Sequence, residues 1–198
     1  MGKKDAKNVR RTCNIDGRET ASEGMQMPSK REKLLRLATL NVNCAKKNRS
    51  PFDLETNITK FMQDNSINIC ALTEVDFQTT QEADDFKIEG YVTLRPQNIM
   101  DGKIRAVILV AKELEKHSRQ KVDIGDRNTL WFELNVPKSP KYIIGGIYRE
   151  WGSGEEKNVS FQINRLDSLA DQLQSISNMS RTTWLAGDFN LDAARYED

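Results

Sequence analysis

Several apolar segments of this sequence end in polar residues that a protein core does not favour. These residues are two amides, two carboxylates and a phenol, namely Asn41, Asn190, Glu74, Asp188 and Tyr148. Strand ends are rigid and open onto loops, which is where α/β proteins usually place their chemistry. Carboxylates and amides without a histidine or cysteine pair suit Mg²⁺, which takes one or two carboxylates together with waters and substrate phosphate. The residue types therefore favour metal-assisted phosphoryl chemistry.

Each of these residues also has a simpler interpretation. A glutamate at a strand end is usually solvated, and Asn41 alone could be a turn former. Asp188 and Asn190 could cap their own turn, and Tyr148 could pack with its hydroxyl in water. The recurrence of such residues at four strand ends is what favours one shared site.

The apolar periodicities predict the elements that must position these residues. Predicted strands cover residues 34–42, 67–74, 91–95, 105–113, 129–136, 141–150 and 183–186, and predicted helices cover 50–66 and 157–178. The order is β-α-β, then several strands without helices between them, then α-β. Such an order fits neither a pure β-α repeat nor an all-β protein. It predicts a mixed sheet system with helices packed outside.

Composition limits the domain organisation and the class of protein. The 198 residues suit one domain with a tail, and the net charge of +1 points to no particular partner. Residues 1–33 carry nine Lys or Arg against five Asp or Glu, with few large apolar residues and no periodicity, so we predict a disordered basic tail before a domain over 34–198. No apolar run is as long as a membrane span, which predicts a protein without membrane contact.

Cysteine and histidine usage excludes several other kinds of site. Three cysteines without a C-x-x-C spacing are typical of reduced thiols in an intracellular protein, nuclear or cytoplasmic. The lone His117 excludes a site with several histidine ligands, and we expect it to be an exposed loop residue. Nothing in the sequence indicates an oligomeric state.

Four motifs carry a resemblance to a known family. LATLNVN, INICALTE, GGIYRE and WLAGDFNLD stand in the order and rough spacing of the endonuclease/exonuclease/phosphatase superfamily. The similarity spans about residues 35–198 and looks closest to the apurinic-type endonuclease domains of non-LTR retrotransposons, although Glu150 stands where those domains commonly have proline. The resemblance implies an α/β (α+β) fold of the DNase I type, a sandwich of two mixed β-sheets flanked by helices.

The resemblance also implies roles for individual residues. Glu74 resembles the principal ligand of Mg²⁺ (or Mn²⁺), and Asn41 resembles the amide that helps to hold that metal site. Asp188 resembles the acid that orients or deprotonates the attacking water, and Asn190 the amide that positions this acid and the phosphate. Tyr148 resembles the phenol that donates to the scissile phosphate.

Basic residues near these motifs are candidates for contact with DNA. We predict weak, sequence-independent binding of DNA phosphates. The candidates are Lys46, Lys47 and Arg49, which follow the first motif, and Arg149, which follows Tyr148. The three loop residues could equally form a solvated run of charge.

The resemblance is incomplete in one respect. Members of the superfamily continue after Gly-Asp-Phe-Asn with a further Asp motif and a Ser-Asp-His motif, whereas this sequence stops at Asp198. We therefore expect a C-terminally truncated domain whose ancestral reaction is Mg²⁺-dependent hydrolysis of DNA phosphodiesters and whose own activity is weak or lost. The alternatives are a non-catalytic remnant that binds nucleic acid or protein, and a phosphatase or RNA-acting branch of the superfamily.

Overall fold

The computed structural model describes residues 35–43, 51–97, 102–150, 159–179 and 181–190. The predicted tail over 1–33 and the predicted DNA contacts Lys46, Lys47 and Arg49 lie outside these ranges. The strands are β1 Leu37–Asn41, β2 Ile69–Phe77, β3 Tyr91–Leu94, β4 Ile104–Ala111, β5 Ser118–Asp126, β6 Thr129–Leu134, β7 Tyr142–Tyr148 and β8 Thr182–Asp188. The helices are α1 Pro51–Asp64, α2 Thr80–Asp85, α3 Lys112–Glu115 and α4 Val159–Ser177.

The strands form two four-stranded mixed sheets. The first has the order β1-β2-β4-β3 and the second β5-β6-β7-β8. In each sheet one edge pair is parallel, β1 with β2 and β7 with β8, and the remaining pairs are antiparallel. This arrangement confirms the predicted sandwich of two mixed sheets with flanking helices.

Each parallel pair belongs to a β-α-β unit, because α1 connects β1 to β2 and α4 connects β7 to β8. Parallel strands require such a crossover connection. Their registers place Asn41 opposite Thr73 in the first sheet and Tyr148 opposite Asp188 in the second. The carboxyl ends of β1, β7 and β8 therefore carry the predicted site residues Asn41, Tyr148 and Asp188, and Glu74 follows Thr73 within β2.

Three apolar layers hold this sandwich together. The layer between the sheets consists of Ile69, Ala71, Ile108 and Val110 from the first sheet and Leu130, Phe132, Leu134 and Ile144 from the second. On the outer face of the first sheet, α1 contributes Leu54, Ile58 and Met62, spaced four residues apart along one helix face. On the outer face of the second sheet, α4 packs Ile176 against Trp131. Because both faces of each sheet are covered, the central strands read as mostly apolar runs rather than as alternating apolar and polar residues.

The structure corrects the sequence prediction at several places. The strand predicted over 105–113 ends at Ala111, because α3 begins at Lys112, and β2 continues past Glu74 to Phe77. The short helix α2 and the strand β5 were not predicted at all. The strand β5 lies at a sheet edge and is largely polar, as edge strands commonly are, so apolar periodicity does not reveal it. His117 is half-buried just before β5, not exposed as predicted.

Among the described residues, no helix is long and apolar enough to cross a membrane.

Candidate active site

β1 and β8 each lead into a turn of the same kind, which begins at Asn41 and at Asp188 respectively. Asn41 Oδ1 accepts a hydrogen bond from the backbone N–H of Asn43 at 2.9 Å, and Asp188 Oδ1 accepts one from the backbone N–H of Asn190 at 3.0 Å. These are Asx turns, in which a side chain replaces a backbone acceptor. Both Asn43 and Asn190 have φ of +46°, a conformation that asparagine tolerates better than most residues.

The middle residue of each turn anchors it in the core. Val42 packs into the apolar layer beneath α1, and Phe189 packs into the layer beneath α4. An apolar residue between two polar ones therefore fixes each turn from the helix side. Asn41 and Asp188 therefore lie at the carboxyl ends of β1 and β8, an end of the sandwich that is called the open end below.

Gly187 lets β8 reach its turn in register with β7. Its φ is +152°, and a Cβ atom there would lie 1.8 Å from the carbonyl oxygen of Ile147, its partner across the parallel ladder. A side chain at this position would push β8 away from β7 and would move Asp188 from its place opposite Tyr148. The glycine before the acid is thus a requirement of strand pairing.

A bulge in β2 directs two acids. The pairing of β2 with β4 shifts register between Thr73 and Phe77, and both Glu74 and Asp76 have positive φ, +55° and +57°. Val75 between them is fully buried. Left-handed backbone at a residue with a Cβ costs roughly 1–2 kcal/mol, so tertiary contacts must hold both residues in place. Bulges of this kind commonly re-aim side chains beside functional sites.

Asn41 joins the acids of the two sheets. Its Nδ2 donates to Glu74 Oε1 at 2.9 Å and to Asp188 Oδ2 at 3.0 Å. The two carboxylate oxygens are therefore no more than about 6 Å apart, since both bonds share one nitrogen. The structure brings together three of the predicted site residues, although Asn41 and Asp188 are 147 positions apart in the chain.

The donor set of this cluster fits a hard cation. Within the described ranges no three His, Cys, Asp or Glu residues lie close enough to hold a metal by themselves. The carboxylates that could bind a cation in this cluster are the two held by Asn41, those of Glu74 and Asp188. Mg²⁺ needs only one or two carboxylates and completes its shell with water and phosphate, whereas a structural zinc site needs four protein ligands. A cleft of ≈ 450 Å³ beside the cluster is lined by Thr39, Thr73 and the turn of Asp188 and offers room for such ligands.

Tyr148 ends β7 next to this cluster and is nearly buried, with 6% of its surface exposed. Its Oη accepts a hydrogen bond of 2.8 Å from Arg105 Nη2. Burial raises the pKa of the phenol, the cation of Arg105 opposes that rise, and the nearby charge of Glu74 adds to it. With its pKa above the ordinary value, the phenol keeps its proton at neutral pH and can act as a hydrogen-bond donor.

Arg149 supports the turn that carries Asp188. Its Nη1 donates to the carbonyl oxygen of Asn190 at 3.0 Å, and its Nη2 donates to Gln162 on α4 at 3.0 Å. In return, the side-chain amide of Asn190 donates to the carbonyl oxygen of Arg149 at 2.7 Å. The guanidinium thus ties the turn to β7 and α4, and its contact with DNA stays a prediction.

The sequence analysis did not single out Arg105 and Asp76, which form an ion pair beside Tyr148. Arg105 is a charged residue within the otherwise apolar strand β4, and Asp76 is the second acid after the buried part of β2. Both departures from the apolar pattern are visible in the sequence. Their pairing is not, because it depends on the bulge.

His117 lies far from this cluster along the first sheet. His117 comes shortly after the carboxyl end of β4, and that end pairs with the start of β2, Val110 with Ile69. Glu74 lies towards the opposite end of β2. His117 therefore has no access to the carboxylates joined by Asn41.

Comparison with solved structures identifies the fold. AP endonuclease LMAP from Leishmania major superposes with a TM-score of 0.63 at 14% identity over 79% of this chain and 55% of that chain. For the endonuclease domain of TRAS1, a telomere-specific non-LTR retrotransposon, the values are 0.56, 13%, 81% and 62%. An AP endonuclease from Archaeoglobus fulgidus gives 0.55, 15%, 80% and 58%. The sequence itself matches no protein-family model and no curated protein.

At sequence identities this low, the superpositions establish a shared fold and nothing about activity. The chain shares the two-sheet sandwich fold of these three solved structures, which confirms the fold that the sequence motifs implied. It spans between 55% and 62% of the length of these three solved structures.

Proposed function

We propose that this site hydrolyses phosphodiesters of DNA with the help of Mg²⁺ or Mn²⁺. The observation that carries the proposal is the single amide of Asn41 that holds Glu74 and Asp188 together at the open end of the two sheets. Two acids with a nearby phenol provide a cation ligand, a group that can take a proton from water, and a donor to phosphate. The AP endonuclease and retrotransposon endonuclease structures that share the fold add support for this class of substrate.

Each residue has a definable task in this reaction. Glu74 would hold the cation, which when bound stabilises the negative charge of the phosphate. Asp188 is held by the backbone N–H of Asn190 and by Asn41, so its carboxylate is oriented to take a proton from the attacking water. The protonated phenol of Tyr148 donates to a phosphate oxygen.

We expect the reaction of this chain to be slow. Phosphoryl transfer needs preorganised donors around the phosphate oxygens as well as an aligned water. Within the described residues the lone imidazole, that of His117, lies away from the site. The absence of one such donor typically costs about 10²–10³ in rate. Binding of DNA without cleavage is therefore the alternative function against which the proposal must be tested.

The test is nicking of supercoiled plasmid in Mg²⁺ and in EDTA, with separate titrations of DNA binding and Mn²⁺ binding. We expect slow, EDTA-sensitive nicking that is lost in Glu74→Gln and in Asp188→Asn. Mn²⁺ binding should weaken in Glu74→Gln. Asp171→Asn is the matched control, because Asp171 is an exposed acid on α4 and should leave both measurements unchanged.

Two results would contradict the proposal. Nicking by the wild-type protein no faster than by Asp188→Asn would exclude hydrolysis at this site, and retained DNA binding would then favour a binding module. Equal Mn²⁺ binding by the wild type and Glu74→Gln would remove Glu74 as the cation ligand.

A further inference from the structure

Arg105 is a charged residue within β4, where its neighbours Ile104 and Ala106 are fully buried. Its own side chain is 18% exposed and projects beside the candidate site. A guanidinium in this setting must be compensated, because burial of an unpaired charge is costly. The two groups that compensate it, Asp76 and Tyr148, come from different sheets.

The contact with Asp76 fixes the guanidinium on one side. Arg105 Nη1 donates to Asp76 Oδ1, and Lys103 Nζ lies 3.9 Å from Asp76 Oδ2. Asp76 is itself held by the β2 bulge, at a φ of +57°. The backbone N–H of Arg105 donates to the carbonyl oxygen of Arg127 in the turn between β5 and β6, which restrains the strand as well.

The contact with Tyr148 then determines the direction of the phenolic proton. A guanidinium can only donate hydrogen bonds, so the phenolic oxygen must accept the 2.8 Å bond from Arg105 Nη2. The single hydrogen of the phenol therefore has to point away from Arg105. The centre of the guanidinium also lies 4.7 Å from the centroid of the Tyr148 ring, which restrains the ring itself.

We propose that Arg105 is a positioning residue that turns the hydroxyl proton of Tyr148 towards the substrate phosphate. This inference rests on the proposed function, since it gives the phenol its task in hydrolysis. Arg105 acts through Tyr148 and does not itself touch the substrate. The ion pair with Asp76 keeps the guanidinium in place for this purpose.

The first experiment follows the phenol directly and needs no activity. The protein is labelled with 3-fluorotyrosine, and Tyr148 is titrated by fluorine NMR, with its signal identified through Tyr148→Phe. We expect Tyr148 in Arg105→Met to titrate at higher pH, because the opposing cation has been removed, and Arg105→Lys to restore part of the difference. Arg95→Met is the matched control, since Arg95 makes a comparable two-bond pair with Asp84. It should leave the titration of Tyr148 unchanged.

The second experiment is a double-mutant cycle on plasmid nicking under single-turnover conditions. Arg105→Met should lower the rate at saturating protein by about tenfold while the half-saturating concentration changes little, since an orienting contact acts in the transition state. In a Tyr148→Phe background the same change should have no further effect.

The outcomes separate this inference from the proposed function. An unchanged titration of Tyr148 in Arg105→Met overturns the inference, whether or not the wild-type protein cleaves DNA. The inference is also overturned if Arg105→Met lowers the nicking rate as much in the Tyr148→Phe background as it does in the wild type, because Arg105 would then act on the substrate itself. Failure of the wild type to nick DNA overturns the proposed function, and the titration alone then decides whether Arg105 controls the phenol.

Discussion

Replacement of Gly187 by alanine tests how tightly strand pairing controls the site. The added Cβ would lie 1.8 Å from the carbonyl oxygen of Ile147, and 2.7 and 2.8 Å from its carbonyl carbon and its nitrogen. Carbon and oxygen atoms that are not bonded approach to about 3.3 Å, so β8 would have to move by roughly 1.5 Å. All three atoms belong to the backbone of β7, so no side-chain rotation can relieve the overlap.

The expected loss of stability has two parts. A residue with a Cβ in a sparsely populated backbone region, such as φ +152°, costs about 1–3 kcal/mol. Separation of β8 from β7 would remove two or three ladder hydrogen bonds at about 1 kcal/mol each. Together these give a loss of about 4 kcal/mol for Gly187→Ala. Gly90→Ala is the matched control, because Gly90 also has positive φ, +84°, but nothing lies within 4 Å of its added Cβ. That control should lose only about 1 kcal/mol.

The assay is urea unfolding of both variants, followed by tryptophan fluorescence, together with Mn²⁺ titration of the folded proteins. We expect Gly187→Ala to lose Mn²⁺ affinity as well as stability, because Asp188 is the next residue, and Gly90→Ala to lose stability only. If both variants lose the same stability, the overlap with Ile147 has no energetic consequence and our account of the glycine before the acid is wrong.

Three further predictions concern charge and thiol chemistry. Glu133 on β6 is buried, and its ion pairs with Arg181 at 2.6 Å and Lys121 at 3.0 Å lower its pKa to about 2. This carboxylate should contribute about 3 kcal/mol of stability above its ordinary pKa, which is lost as the pH falls through about 2, so acid unfolding curves of the wild type and Glu133→Gln should converge there. Burial raises the pKa of the Cys70 thiol to about 12, and peptide mapping should find Cys70 alkylated at mildly alkaline pH only after unfolding in urea. Alanine at the three loop cations should reduce the salt dependence of DNA binding, and an unchanged slope would indicate a solvated run of charge. These cations are Lys46, Lys47 and Arg49.

Local patterns in the sequence predicted the fold class and indicated which polar groups belong to the candidate site, whose roles stay a prediction. The helix α1 and the central strands follow from apolar spacing, because burial on one helix face or on both sheet faces leaves a distinct pattern. The strand β5 left no such pattern, since an edge strand exposes polar residues. The candidate site residues were recognisable because each places a polar group after an apolar run. These residues are Asn41, Glu74, Tyr148 and Asp188.

The arrangement of these residues depended on tertiary structure. Asn41 and Asp188 meet across 147 positions because β1 and β8 each form a parallel pair through a helix, and no local pattern encodes which strands pair. The positive φ of Glu74 and Asp76 arises from the register shift between β2 and β4, and that shift brings Asp76 to Arg105. The sequence by itself determined which chemical groups stand at the strand ends, because that is a property of local patterning. Their distances and hydrogen-bond partners were decided by long-range strand pairing, whose energy appears only when the two sheets are packed together.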